Sequence, residues 1–548
     1  MTYFALGRAI LKGFTLYQDI YDSKPPGIFL LSAASLTLTG NELLANIAQA
    51  FAFLLVTVFI VALAWNESRP TSTAIRRSAL FAGFFVGLVL TQYTALRSGG
   101  NVQTEPIGSV ACLAYIFLLT RNVRNFRLRH VFLATLCMTL AVGIKEPFIL
   151  IFSAVAILFC PSVRSFLRAF VFPTMLTALI GILTLSALGS LRAYFTFSLP
   201  ELLFGSYTFA HISPWIGAFN FLPIIFDFWK FSPAFLFLTT VIIVIPILLA
   251  TPEHRPGTIA ATLGLFIVPA LPFLCLILWA GFSGLPFSLR AVLLLPLLQG
   301  SRAGLLLWLV VFITGMIAYG NVLLLRRRTK KHWRAILFLI LRFIVALLIT
   351  FGVVGLRGKY YPHYFIFALP LLAASFTIFL RSTIRLRPQI AHALLGSVSI
   401  LAAVILILLP SRNLPPLQFD LDRQRQDTLA TAARFDALLD SCKFKRYLAY
   451  AYETEPLWAF TQHTPYGSSF SHMTWTADRT SSAFKELYAQ RFAETRIIVL
   501  DPYRLPELEF ERGGTLWNDF SRSPPACAAS FMPIDNFLLL FRKTPTAG

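Results

Sequence analysis

The chain has 548 residues, of which 57% are apolar and 13% charged, with a mean hydropathy of +0.70 and a net charge of +22. A soluble domain averages roughly 45–50% apolar and 25% charged residues, so lipid must solvate much of this chain. With 6 cysteines and 53 phenylalanines, the composition also excludes a disordered, collagen-like or disulfide-scaffold protein.

In chain order, residues 1–26 hold no apolar segment long enough to cross a bilayer, and the apolar run Gly27–Thr39 is also too short to span, so it reads as an interfacial or re-entrant helix. Apolar runs between polar breaks then give about twelve spans: 43–64, 79–97, 104–120, 131–144, 147–160, 169–190, 232–250, 258–280, 303–325, 334–355, 363–380 and 389–409. After Pro410 the pattern changes to alternating helix and strand. Helices are predicted over Ala430–Leu439 and Ser482–Phe492, and strands over Tyr447–Tyr452, Arg496–Leu500 and Phe537–Phe541. The expected fold is an all-α polytopic transmembrane bundle with a small C-terminal extracytoplasmic α/β domain. Its parts are a first outer loop (1–42), a membrane part (43–410) and the α/β domain (411–548).

The charge follows this division. Residues 411–548 carry 16 acids and 16 bases, whereas residues 1–410 carry 31 bases and only 9 acids, so the whole excess of +22 belongs to the apolar part. A nucleic-acid partner is therefore not indicated. The bases cluster in alternate loops, including Arg121, Arg124, Arg127 and Arg129, the run Arg326-Arg327-Arg328-Thr329-Lys330-Lys331, and Arg381, Arg385 and Arg387. Lys and Arg are retained on the cytoplasmic side, which places the other loops and the C-terminal domain outside, in the periplasm of a bacterial inner membrane or its equivalent. Seven of the nine acids lie in those outer loops: Asp19, Asp22, Glu42, Glu105, Glu146, Glu201 and Asp227. Twelve spans with an external C-terminus require an external N-terminus, yet nothing in residues 1–26 is apolar enough to cross. The expectation is that a first span lies upstream of Met1.

Four outer groups concentrate the polar chemistry. In Leu16-Tyr-Gln-Asp-Ile-Tyr-Asp-Ser-Lys-Pro-Pro-Gly27 the diproline stiffens the backbone and biases Lys24 away from helix, holding its ammonium group above an apolar segment. An ordinary solvated loop is the competing reading. In Arg97-Ser-Gly-Gly-Asn-Val-Gln-Thr-Glu105-Pro106, Glu105 either faces a cavity or partner, or simply favours a helix start capped by Thr104. Lys145-Glu146-Pro147 joins two runs of only about 14 apolar residues, which recesses an ion pair below the surface unless the turn is a plain hairpin. Leu356-Arg-Gly-Lys-Tyr-Tyr-Pro-His-Tyr364 offers Arg357 and Lys359 to a phosphate, with His363 and Tyr364 at the top of a span. Cations that neutralise a lipid-linked phosphate leaving group, next to a carboxylate that deprotonates an incoming hydroxyl, suit glycosyl transfer from a polyprenyl-phosphate sugar. Anion transport uses the same groups.

No G-x-G-x-x-G, P-loop, H-E-x-x-H or C-x-x-C arrangement occurs, no metal ligand set is indicated, and no cofactor is read. Cys442 and Cys527 either pair in an oxidising compartment, joining the first strand of the tail to the last, or remain two separate thiols. Cys112, Cys137, Cys160 and Cys275 read as packing residues of the spans.

At these residues the chain resembles the GT-C class of polytopic glycosyltransferases, in the bacterial branch that includes aminoarabinose transferases of lipid A, protein-mannosyltransferase-like enzymes and lipopolysaccharide-core sugar transferases. The likeness lies in Gly7-Arg-Ala-Ile-Leu-Lys-Gly13, Tyr17 and Tyr21-Asp-Ser-Lys-Pro-Pro26, then in Asn101-x-x-Thr104-Glu105, and in Tyr361-Pro-His-Tyr-Phe365 with Pro370. The resemblance implies about thirteen spans in a full-length relative. It also implies an inverting transfer from a polyprenyl-phosphate donor, such as undecaprenyl phosphate, to a lipid, glycan or protein acceptor. Lys24 and Arg357 are then expected at the donor phosphate. Asp22 becomes the catalytic carboxylate, because the family's acidic motif after the first span is absent from this sequence. Glu105, Lys145, Glu146, His363 and Tyr364 complete the expected substrate site. The rival readings are a transporter or lipid flippase, and a non-catalytic relative.

Overall fold

The computed structural model describes residues 2–20, Asp22, 24–40, 104–200, 333–354, 419–450, 460–466, 482–502, 505–534 and 537–543, with single positions between them. Helix α1 (Thr2–Leu11) ends at Gly13, whose φ of +85° reverses the chain. Residues 14–20 fold back on themselves: the Tyr17 amide donates to Ile20 O at 2.6 Å, and Asp19 Oδ2 accepts from the Thr15 amide at 2.8 Å. Helix α2 (Pro26–Thr39) starts after an extended Pro25, with Pro26 in its first turn where no amide hydrogen is needed. It stops at Gly40, whose left-handed φ of 64° lets its amide reach Leu36 O at 2.7 Å. The run expected over Gly27–Thr39 is thus a helix. A Cβ on Gly7 would lie 2.8 Å from the Ala33 amide nitrogen, so α1 and α2 pack backbone to backbone.

The bundle continues with α3 (Thr104–Asn122), α4 (Leu128–Ile144), α5 (Phe148–Phe159), α6 (Val163–Ala187), α7 (191–198) and α8 (Trp333–Val354). Five of the expected spans therefore appear as helices within a few residues of their sequence boundaries. The expected spans 79–97, 232–250, 258–280, 303–325 and 389–409 lie outside the described residues, as do most of 43–64 and 363–380. Among the described residues one helix, Val163–Ala187, is long and apolar enough to cross a membrane unaided. It begins six residues before the expected 169, because Arg164 and Arg168, which break the apolar run, still fit a helix, and a π turn over Leu167–Val171 continues it through Pro173. Proline has no amide hydrogen for the carbonyl four residues back. Here that carbonyl, Ala169 O, accepts instead from the Tyr115 hydroxyl at 2.9 Å.

Helices α3, α4, α5 and α8 enclose a dry core that includes Cys112, Tyr115, Met138, Phe152 and Phe343. Tyr115 and Phe152 meet edge-on at 4.9 Å. Arg342 of α8 donates to Ile157 O and Cys160 O, satisfying carbonyls at the C-terminal end of α5 that lack helical partners. The opposite faces are apolar and exposed. Leu128, Phe132, Leu136 and Leu140 form a four-residue-spaced stripe on α4, and Leu337, Leu341, Ile344 and Leu348 form one on α8 at spacings of three and four. Faces of this kind demand an apolar solvent or a partner.

The C-terminal part comprises α9 (Phe419–Ser441), β1 (Arg446–Tyr450), β2 (Thr464–Pro465), α10 (Ser482–Glu494), β3 (Ile497–Leu500), α11 (Leu505–Glu511), β4 (Phe520–Ser521) and β5 (Leu538–Arg542). The sheet order is β2-β1-β3-β5-β4, with β1 parallel to β2 and β3, and β5 antiparallel to β3 and β4. The central strand Ile497-Ile-Val-Leu500 is buried along its whole length between two apolar clusters. Cys442 and Cys527 form a disulfide. It joins the turn after α9 to the turn ahead of β5, rather than the first strand to the last, because both cysteines sit in turns outside the strands.

Candidate functional site

The site is built at the end of the bundle where α2, α3 and α5 begin and α4 ends. Glycine makes this possible. A Cβ on Gly27 would lie 2.4 Å from Gly143 O, so the first turn of α2 rests directly on the last turn of α4. Lys24 lies three residues before Gly27, and Lys145 two residues after Gly143. This contact therefore brings the first and third polar groups of the sequence to one place. Beneath them Tyr17, Ile28, Phe29, Ile144, Leu185 and Ala193 close a buried apolar cluster that also ties in α6 and α7.

Lys24 is held from three directions. Its amide donates to Asp22 Oδ1 at 3.0 Å, its ammonium group lies 3.6 Å from the same oxygen, and its carbonyl accepts from the Tyr17 hydroxyl at 2.6 Å. The ammonium group also sits 5.1 Å above the Tyr3 ring, and the side chain remains 35% exposed. Asp22, at 3% side-chain exposure, thus forms an Asx turn around the lysine and neutralises it in place. Tyr17 reaches Lys24 from a left-handed backbone (φ 68°), and its ring packs on Tyr194 of α7 at 5.2 Å.

Lys145 takes its partner from another helix. Its ammonium group forms an ion pair with Glu105 Oε1, while Thr104 donates to Glu105 Oε2 at 2.8 Å. Glu105 stands in the first turn of α3 and is paired with Lys145, while Thr104 is itself the first residue of that helix. The ion pair expected within Lys145-Glu146 is instead formed with Glu105, 40 residues away, because the turn over residues 145–147 follows the end of α4 and leaves Lys145 extended toward α3. The Lys145 ammonium group lies 5.6 Å over the Phe367 ring, which packs on Phe148 at 4.7 Å. Phe148 in turn fills the space over Gly108, where a Cβ would meet its ring at 2.0 Å. Arg357, Lys359, His363 and Tyr364 lie outside the described residues.

Chemically, the arrangement sets two ammonium groups, each oriented by a buried carboxylate, at one end of the bundle beside the starts of three helices. Helix N-termini favour negative charge, so the place suits an anion whose charge is shared among several donors. Among the described residues no group of three or more His, Cys, Asp or Glu is placed to hold a metal ion.

The C-terminal part closes over the same loop. Arg446 donates to Asp19 O and, at 3.2 Å, to Pro465 O, while Arg491 donates to Gln18 O at 2.9 Å. Arg446 stacks between Phe14 at 5.1 Å and Tyr466 at 4.2 Å, and burial pulls its guanidinium down to about 10. From α1, Arg8 and Lys12 donate to Thr461 O and Gln462 O. Asp436 holds the same segment from the other side, accepting from the Gln462 amide at 2.7 Å and the His463 amide at 3.2 Å. Desolvation raises its pKa above the usual carboxylate value.

Of the residues singled out in the sequence, Asp22, Lys24, Glu105 and Lys145 lie at this end of the bundle and Glu146 in the turn between α4 and α5; Gly143, Phe367, Arg446 and Arg491 were not singled out. Gly143 carried no signal, because only its carbonyl is approached by Gly27 and any residue would supply that carbonyl. Arg446 and Arg491 carried none, because an arginine in a neutral soluble segment looks like any surface charge.

No family model matches the chain, and no curated protein matches it. Among solved structures the chain is similar to the crystal structure of ArnT from Cupriavidus metallidurans bound to undecaprenyl phosphate. The identity is 14% and the TM-score 0.38, with 100% of this chain and 94% of that chain covered. A TM-score that low carries no functional argument, and the function is read from the residues themselves.

Proposed function

We propose that the protein is an integral-membrane glycosyltransferase that uses a polyprenyl-phosphate sugar at the outer face of a bacterial inner membrane. The observation that carries the reading is the Gly27–Gly143 contact, which sets the Asp22–Lys24 loop against the Glu105–Lys145 pair. In the reaction an acceptor hydroxyl attacks the anomeric carbon, and its proton passes to a carboxylate. The bond from that carbon to the phosphate oxygen breaks, and polyprenyl phosphate leaves with the bonding pair. The two ammonium groups stabilise the charge that builds on the leaving phosphate. Glu105 positions Lys145, and Arg357, His363 and Tyr364 are assigned to donor binding from the sequence alone. The disulfide and the basic alternate loops both support an outward-facing C-terminal part.

Asp22 has two roles open to it, as proton acceptor or as the group that orients Lys24. Asp22→Asn separates them: it keeps the oxygen that accepts from the Lys24 amide and removes the base. Retained turnover with Asn identifies the orienting role, and a turnover lost with KM for the donor unchanged identifies the proton acceptor, since a misplaced Lys24 would also weaken donor binding. The reading as a whole is tested by mass analysis of surface glycans and lipids in a deletion strain. The expected result is one missing sugar, restored by the wild-type gene and not by Lys24→Ala at equal protein level. Unchanged glycans and lipids, or full rescue by Lys24→Ala, would overturn it.

A further inference from the structure

Residues 14–20 lead from α1 to the Asp22–Lys24 turn without a helix or a full strand, and their shape rests on one strained residue. Tyr17 has a left-handed backbone (φ 68°), which a bulky residue rarely adopts and which persists only where the surroundings over-determine it. Three contacts hold it from the bundle side. Its amide donates to Ile20 O at 2.6 Å, its hydroxyl donates to Lys24 O at 2.6 Å, and its ring packs on Tyr194 at 5.2 Å. The next two carbonyls, of Gln18 and Asp19, accept from no backbone amide among the described residues. They accept instead from the C-terminal part, Gln18 O from Arg491 at 2.9 Å and Asp19 O from Arg446.

Both arginines are themselves fixed. Arg446 opens β1 and stacks on Tyr466 at 4.2 Å and on Phe14 at 5.1 Å. The Arg491 guanidinium lies 5.6 Å from the same Tyr466 ring and pairs with Glu494 at 3.0 Å. Tyr466 is anchored in turn, because its amide donates to Tyr447 O of β1 at 3.0 Å. A second bridge lies behind Tyr17. On α7, Phe197 follows Tyr194 by three residues and packs against the apolar clusters of both the bundle end and the C-terminal part. The loop ahead of Lys24 is therefore gripped between the sheet and α7.

We propose that Arg446 and Arg491 are positioning residues for Lys24. By fixing the Gln18 and Asp19 carbonyls they keep Tyr17 left-handed, and its hydroxyl keeps Lys24 in place to meet the donor phosphate. Without them Tyr17 relaxes toward an ordinary backbone, its hydroxyl leaves Lys24 O, and the ammonium group loses its set place beside the Glu105–Lys145 pair. The C-terminal part is then a component of the donor site. The role at the phosphate rests on the glycosyltransferase reading, whereas the mechanical coupling from the two arginines to Lys24 does not.

Two measurements on the full chain in detergent micelles test it. The first is amide hydrogen exchange over residues 15–24 in Arg491→Ala and in Arg446→Met, which keeps apolar packing between Phe14 and Tyr466 and removes the donors. That segment is expected to exchange about tenfold faster, the factor that one hydrogen bond from a charged donor supplies, with β3 and α4 unchanged. The second is the affinity for undecaprenyl phosphate, the leaving group of the proposed reaction. It should fall about tenfold in each arginine variant and in Tyr17→Phe, which keeps the ring on Tyr194 and removes the hydroxyl. Tyr17→Phe combined with Arg446→Met should be no weaker than the weaker single variant, because the residues act in series. Should Arg446→Met fail to fold, the same comparisons with Arg491→Ala decide. Unchanged exchange over 15–24 overturns the proposal. So do faster exchange in β3, which marks a merely structural role, and affinity losses that add. A wild-type chain that does not bind undecaprenyl phosphate refutes the glycosyltransferase reading, and with it the role at the phosphate.

Discussion

The Glu105–Lys145 pair is the sharpest point at which the structure can be challenged. Replacing Lys145 with Met keeps an unbranched chain of similar volume and removes the charge. Glu105 then keeps the Thr104 hydroxyl at 2.8 Å but loses its ammonium partner at 2% side-chain exposure. Breaking a buried pair from one side costs about 3–5 kcal/mol, whereas replacing both partners with neutral groups of similar volume is close to neutral. Lys145→Met and Glu105→Gln should therefore each be strongly destabilising. The double variant should recover most of the loss, giving a coupling of at least about 2 kcal/mol in a double-mutant cycle. The assay is unfolding of the full chain in mixed micelles as the denaturing detergent fraction rises. Single effects that add to within about 0.5 kcal/mol would show that the two groups do not meet, and the site would lose one of its two cations.

Other outcomes follow from the same geometry. Gly27→Ala places a methyl group 2.4 Å from Gly143 O and should cost about 1–3 kcal/mol, while Gly143→Ala meets nothing within 4 Å and should be neutral or stabilising, both read as shifts in thermal unfolding. Removing the Cys442–Cys527 bond, which closes 85 residues of sequence, should lower the stability of the C-terminal part by about 2–5 kcal/mol; alkylation of both thiols without prior reduction would refute the bond. Asp436 has a raised pKa through desolvation, so it takes up a proton on folding between its ordinary value and the raised one. Wild-type stability should fall relative to Asp436→Asn as pH rises through that window, and a relative gain by the wild type would contradict the assignment.

Local structure was largely legible. Pro25-Pro26 and Gly40 bracket α2 because one residue type suits a helix start and the other a left-handed stop. The run Ile497-Ile-Val-Leu500 declares a buried strand, and the runs 104–120 and 334–355 differ from the observed helices by two residues or fewer at each end. The start of α6 was set six residues late because Arg164 and Arg168 break the apolar run although both fit a helix, and the π turn with the Tyr115 hydroxyl makes Pro173 tolerable inside it. The site was half legible. Scarce acids in an apolar chain pointed to Asp22, Glu105 and Glu146, since a charge in such surroundings must be compensated.

What the sequence determined by itself is the division of the chain into a basic apolar part and a neutral α/β part, together with the ends of many helices and strands. Those properties depend on neighbours within a turn or two, and periodicity records them directly. What only the tertiary structure decided is which distant groups meet. Lys145 pairs with Glu105 rather than with Glu146, Tyr17 holds Lys24, and Arg446 and Arg491 reach the loop ahead of it. Each of these depends on how two backbones approach, as Gly27 does on Gly143, and a packing distance leaves no periodic trace in either segment.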